Sequence, residues 1–244
     1  MRKLLQRLGC SFHQVSGFLF KADPDQQQQF FEDYERDKKT AQAEGWRRYF
    51  LDGVHPLYGL EVLFCCWLLV GQRFEVGVGG GRKRLNILGA YCPDDQEYVD
   101  RRYTDKNLNA QSVIELFELM RARHPETKYF RIYLDNARYQ HAKVLKAWVE
   151  QTRQEHGVVF DLKYLPAYSP NLNLIERLWK FLRKEALQQW HPTFEDMQQA
   201  VAGVLDNLPL YSEQLQSLMT ERFHLTPEVS TIVVGVGQAA KGAR

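Results

Sequence analysis

Three acidic side chains stand where their neighbours are apolar. Asp52 closes the run Tyr49-Phe50-Leu51, Asp135 closes Ile132-Tyr133-Leu134, and Glu176 lies beside Ile175, Leu178 and Trp179. A carboxylate in such surroundings has either a turn or helix end to cap, or a cation to hold. Acids at the ends of two strands, and on a helix that packs across the same sheet, can meet at one edge, where three negative charges repel unless cations neutralise them. Oxygen-only ligands favour Mg²⁺ or Mn²⁺ over zinc. Two such ions about 3.5 to 4 Å apart activate an attacking oxygen and stabilise a leaving one in phosphodiester chemistry. On spacing alone two readings stand: a metal nuclease centre, or three turn and cap residues, with Glu176 and Lys180 as a plain i, i+4 helix pair. Asp94, Asp95, Asp100 and Asp161 also lie near expected strands, in polar or turn contexts that solvate them.

The elements that must position these residues follow from periodicity. Residues 48–52 read as a strand ending at Gly53, with further strands at 85–90 and 97–103. Residues 109–123 have helical spacing (Val113, Leu116, Phe117, Met120), with Asn109 as the cap. A strand at 128–135, a helix at 139–154 and a strand at 158–165 follow. Ser169-Pro170 offers a cap and first-turn proline to an amphipathic helix over 172–187, and Asn173-x-x-Glu176 offers a capping box instead. Residues 194–205 and 212–219 read as further helices, and 229–244 has no clear period. The order β-β-β-α-β-α-β-α predicts an α/β domain with a mixed central sheet flanked by helices. Ahead of it, residues 1–22 carry Arg2, Lys3, Arg7 and Lys21 with no acid, and 23–45 form a polar, Gln-rich helical connector.

Composition excludes several classes. The chain has 244 residues, 44% of them hydrophobic and 25% charged, which suits an ordinary globular protein able to bury a core without metal or disulfide staples. Its 32 basic and 30 acidic side chains give a net charge of +2, which argues against a histone-like binder. The longest apolar run, 62–70, is less than half of the roughly 20 residues that span a bilayer, and Gln6 and Arg7 break any signal-like apolar stretch at the start. The expectation is no membrane and a cytoplasmic location. Cys10, Cys65, Cys66 and Cys92 form no C-x-x-C pair and read as buried reduced thiols, and the seven histidines show no zinc-ligand spacing.

The stretches Tyr133-Leu134-Asp135-Asn136 and Tyr168-Ser169-Pro170-Asn171-Leu172-Asn173-Leu174-Ile175-Glu176-Arg177-Leu178-Trp179 closely resemble the DDE-superfamily transposases of bacterial insertion sequences related to the mariner group. Phe50-Leu51-Asp52 to His55 looks like the first acidic motif of that family, and residues 84–90 and 109–112 look like family text between. The resemblance covers 46–205. It implies a ribonuclease H-like catalytic domain in which Asp52, Asp135 and Glu176 hold two Mg²⁺ or Mn²⁺ ions. It further implies DNA cleavage by water at transposon ends, then attack of the freed 3′-hydroxyl on target DNA, with TA as a target preference. His55 and Asn136 follow as neighbours of the metal site. Leu174 stands where the family usually has proline, and the interval from Asp135 to Glu176 is longer than in most relatives, which fits a loop difference around 152–156.

Full-length relatives carry helix-turn-helix domains that read transposon ends. Here residues 1–22 look like the remnant of such a module, with Leu4, Leu5 and Leu8 on its last helix. The expected partners are transposon-end and target DNA, a second copy of the chain in an active dimer, and a separately encoded upstream DNA-binding segment, in the bacterial cytoplasm with the nucleoid. Arg82, Lys83 and Arg84 after three glycines, and Lys180, Arg183 and Lys184 beyond Glu176, are candidates to contact phosphates; the plainer reading is solvated surface charge. Trp179 and Phe181 read as core. The alternative function is an inactive or truncated transposase derivative acting by DNA binding or mixed oligomers. Residues 206–244 are a helical extension and tail.

Overall fold

The computed structural model describes residues 2–7, 21–59 and 83–225. Arg82, the apolar run at 62–70, Cys10, Cys65, Cys66, Leu8 and the tail beyond 225 lie outside the described residues. The elements are α1 (Arg2–Arg7), α2 (Pro24–Glu44), β1 (Arg47–Val54), β2 (Asn86–Cys92), β3 (Glu97–Tyr103), α3 (Ala110–Arg123), β4 (Tyr129–Leu134), α4 (Lys143–His156), β5 (Val159–Tyr164), α5 (Ile175–Leu182), α6 (Phe194–Leu205) and α7 (Ser212–Leu218). No helix among the described residues is long and apolar enough to cross a membrane. The one described cysteine, Cys92, is buried and free, and burial pushes its thiol up to about 11.

The five strands form one mixed sheet in the order β3-β2-β1-β4-β5. β1, β4 and β5 run parallel, while β2 is antiparallel to both of its neighbours. Alternating side chains assign the two faces. Tyr49, Leu51, Leu88, Phe130, Ile132 and Leu134 pack on α3 and α4. Phe50, Ile87, Tyr91 and Tyr133 pack on Tyr34 of α2, on α5, and on α6 and α7 beyond it. α3 is capped as the sequence predicts: Asn109 accepts from the Ser112 amide at 3.1 Å, and Ser112 Oγ accepts from the Asn109 amide at 3.4 Å.

The polar helix α2 joins this core through few residues, burying Gln27, Tyr34 and Ala41. Its Tyr34 hydroxyl accepts from the fully buried Arg48 guanidinium of β1 at 2.8 Å. The same guanidinium pairs with Asp94 and with Glu221 at 3.1 Å, and Lys38 reaches Glu221 at 2.9 Å. The strap after α7 is held by Arg177, which donates to the carbonyls of Leu218, Thr220 and Arg222, and by Phe223, edge-on to Tyr34 at 5.2 Å.

Candidate active site

Sheet geometry brings the first two acids together. Side chains alternate along a strand, so Asp52 points to the face that Phe50 occupies, and Asp135 follows Tyr133 to the same face. The parallel register Leu51↔Leu134 makes Asp52 and Asp135 the next residues on neighbouring strands, whose backbones lie about 4.8 Å apart. Asp52 lies inside β1, two residues before its end, instead of terminating the strand at Gly53 as predicted. Asp135 is the first residue after β4.

The third acid arrives on α5, which covers that face with Ile175, Leu178, Trp179 and Leu182. Neither predicted cap forms. Pro170–Leu172 make a short 3₁₀ turn, and α5 starts at Ile175 without a side-chain cap. The polar side chains are used elsewhere. Ser169 Oγ accepts from Gln27, and the buried Asn173 amide donates to the Leu51 carbonyl at 3.1 Å. That bond ties the start of α5 to β1 one residue before Asp52 and sets Glu176 at the sheet edge. Beyond Leu182 the helix passes into a π turn, Arg183–Leu187, so the predicted single helix over 172–187 is three segments.

Asp52, Asp135 and Glu176 line one cavity of about 450 Å³ with Asn136, Asn173 and the 165–170 loop. On the rim of that cavity Tyr168 takes φ 56°, a left-handed conformation rare for a bulky residue. Burial, then the charges of Glu176 and Asp135, pushes Asp52 up to about 8, against hydrogen bonds from the Gly53 amide and the Trp179 indole. Burial raises Glu176 as well, opposed by Lys180 and Arg183 and reinforced by Asp135. Burial, then Asp135 and Asp52, holds the Tyr139 phenol above its ordinary value and hence neutral.

Neutral donors hold the two aspartates. Trp179 Nε1 donates to Asp52 Oδ2 at 3.0 Å, and Gln140 Nε2 to Asp135 Oδ1 at 2.5 Å. Sequence reasoning took Trp179 as core, which it is at 2% exposure, but missed its N–H bond to Asp52; it took Asn173 as a helix cap and missed its bond to the Leu51 carbonyl, and it gave Gln140 and Tyr139 no role in the site. A signal existed for Trp179 alone: it lies three residues after Glu176 and therefore on the same helical face. Asn136 lines the cavity and donates to the Leu165 carbonyl at 2.7 Å. His55 is exposed, with Nδ1 2.7 Å from Asn86 Oδ1, and is not among the cavity's lining residues.

The basic candidates divide. Lys180 and Arg183 act on Glu176 through their charge, and Lys184 is exposed beside Glu185 at 3.2 Å. Lys83 and Arg84 line a separate groove with Lys106, Asn107 and Phe194. The competing acids are engaged elsewhere: Asp94 with Arg48, Asp95 with Arg47, Asp100 with Arg102 and Asp161 with Arg131.

In kind, the donor set fits hard divalent cations: three half-buried carboxylates share one cavity, and their mutual repulsion is what a cation would relieve. As they stand, no three His, Cys, Asp or Glu side chains among the described residues are grouped closely enough to hold one ion. Asp52 is turned to Trp179 and Asp135 to Gln140.

The fold is similar to that of solved transposase assemblies. The Mos1 transposase paired-end complex with left transposon end aligns with TM-score 0.60 at 14% identity over 91% of this chain and 70% of that one. A pre-cleavage Mos1 transpososome aligns with TM-score 0.61 at 13% identity over 91% and 71%, and the mariner Mos1 paired end complex with Mg with TM-score 0.60 at 14% over 90% and 70%. At such identities the likeness establishes the ribonuclease H-like fold. No curated protein matches the sequence. Residues 48–198, which carry all three cavity carboxylates, match the family profile described as DDE superfamily endonuclease, and the chain belongs to that family.

Proposed function

We propose that this chain is the catalytic part of a transposase of the bacterial insertion-sequence type, which cleaves DNA at transposon ends and joins the 3′-hydroxyl to target DNA. The observation that carries this reading is the convergence of Asp52, Asp135 and Glu176 in one cavity, with Asp52 pushed up to about 8 by burial and by the other two. In this reading the three carboxylates hold two Mg²⁺ or Mn²⁺ ions, and residues 46–205 form the catalytic unit. Bound divalent cations supply Lewis-acid activation of the attacking oxygen and charge stabilisation at the leaving oxygen. The chain's own residues orient and anchor. Trp179 and the Gly53 amide fix Asp52, Gln140 fixes Asp135, and Asn173 anchors the helix that carries Glu176. Asn136 borders the site beside Asp135, while His55 serves the end of β1 through Asn86.

Arg82, Lys83 and Arg84 and the Lys180, Arg183, Lys184 group contact phosphates of the DNA in this reading. In this reading sequence-specific recognition of the ends falls to a helix-turn-helix module to which residues 1–22 belong. The active form is a dimer on two ends. The test is strand cleavage and strand transfer on DNA carrying the element's ends, in Mg²⁺ or Mn²⁺, with the upstream module supplied. Wild type is expected to be active and Asp135→Asn to fall to background. An inactive wild type, or a fully active variant, overturns the assignment.

A further inference from the structure

We propose that Trp179 is a positioning residue for the Asp52 carboxylate, and that Gly89 is the gap in the sheet that lets its indole reach there. The inference rests on the reading above, in which Asp52 is a cation ligand. Asp52 on β1 pairs in register with Gly89 on β2, so the position beside the carboxylate, on the same face, has no side chain. The Trp179 ring fills it. A Cβ built on Gly89 would lie 2.6 Å from Trp179 Cη2 and 2.9 Å from the Tyr98 ring and hydroxyl, well inside van der Waals contact. Glycine inside an otherwise fully buried strand marks such a close approach. Tyr98 closes the slot edge-on, with ring centroids 6.1 Å apart and planes at 85°. So packed between Gly89 and Tyr98, the indole directs its N–H to Asp52 Oδ2 at 3.0 Å.

The chemistry of the donor suits the task. An indole N–H donates and cannot accept, so it fixes one carboxylate oxygen without competing for a cation or neutralising the charge that attracts one. The residue is also placed to couple two ligands. Glu176 and Trp179 are three positions apart on α5, on one face of one rigid helix. The helix that delivers Glu176 therefore also sets the orientation of Asp52, and a displacement of α5 moves both together. A Trp that merely filled the core would need neither the N–H nor the glycine opposite Asp52.

The experiment separates the N–H from the ring. Trp179 is replaced by the isosteric β-(3-benzothienyl)alanine, which keeps the bicyclic shape and loses the donor. Mn²⁺ binding is read from the electron paramagnetic resonance signal of free Mn²⁺, beside thermal unfolding and kcat and KM on end DNA. The expected result is unfolding within a few degrees of wild type, Mn²⁺ binding about 10-fold weaker, and a loss in kcat with KM unchanged. Gly89→Ala is expected to weaken Mn²⁺ binding in the same direction. Unchanged Mn²⁺ affinity in the folded isostere, while Asp52→Asn loses binding, overturns the role of Trp179 and leaves the metal reading standing. Equal Mn²⁺ affinity in Asp52→Asn and wild type overturns the metal reading, and this inference with it. A second measurement needs no change at Trp179: its indole ¹H–¹⁵N resonance must shift and exchange faster with solvent in Asp52→Ala, which removes the acceptor, and an unmoved resonance also overturns the proposal.

Discussion

Replacing Arg48 by Met tests how the central strand is held. The guanidinium is fully buried, bonded to Asp94 through two nitrogens, to the Tyr34 hydroxyl at 2.8 Å and to Glu221 at 3.1 Å, and it lies over the Tyr34 ring at 5.6 Å. Removing one partner of a buried ion pair costs about 3 to 5 kcal/mol, because the charges left behind are uncompensated. The stranded carboxylates keep 29% and 20% of their side-chain surface, and Lys38 still serves Glu221, which places the expected loss near the lower end, about 3 kcal/mol. For a domain of this size that is about 6 to 12 °C in Tm. Thermal and urea unfolding followed by circular dichroism, run as a double-mutant cycle with Glu221→Gln, read it. Glu221→Gln alone should cost about 1.5 kcal/mol. In the Arg48→Met background the same change should be neutral or stabilising. A loss below about 1 kcal/mol for Arg48→Met, or an equal effect of Glu221→Gln in both backgrounds, refutes the argument.

Three further outcomes follow from the site and its frame. Because Asp52 is raised to about 8 in the folded chain, the native state holds a proton that the unfolded chain has released above about pH 4, so the metal-free protein loses stability as pH rises from there towards 8. Asp52→Asn removes that slope, which approaches ~1.4 kcal/mol per pH unit; parallel stability-against-pH curves for the two proteins would count against it. Asn109→Ala deletes the α3 cap and should lower stability by about 1 kcal/mol in urea titration, leaving DNA cleavage intact. Lys180→Gln with Lys184→Gln should weaken DNA binding uniformly across sequences and flatten the plot of log affinity against log salt by about 2, and an unchanged slope removes both from the interface.

Most of the sheet was legible because its signal is local. Apolar alternation at 128–135 and the Asn109 cap need no distant partner, and the strands and α3 lie within a residue or two of expectation. The acids of the candidate site were legible for a related reason: a carboxylate among apolar residues contradicts its own surroundings. What escaped was tertiary. Ser169 and Asn173 have the residue types and spacing of helix caps, but Gln27 and the Leu51 carbonyl claim them, and nothing near them in sequence foretells that competition. Asp52 looked like a strand end because Gly53 follows it, yet β2 pairs through Val54 and carries the strand on. Gln140 was hidden because a glutamine five residues after an aspartate has no local meaning until a 3₁₀ turn, Arg138–His141, folds it back onto Asp135.

The Arg48 cluster also bears on how the chain is made. Arg48 is the second residue of the middle strand of the sheet, and its partner Glu221 is 173 positions downstream. A ribosome adding roughly 5–20 residues per second needs about 10 to 35 s to go from one to the other. Throughout that interval Arg48 has no Glu221 to be buried with, and Tyr34 and Phe50 lack the Phe223 ring that packs against them. A strap synthesised long after β1 therefore completes the packing of that strand. A chain stopped short of residue 221 leaves that strand's cation half-matched and its aromatic face open to chaperones and proteases, even though every residue of the carboxylate site has already been made.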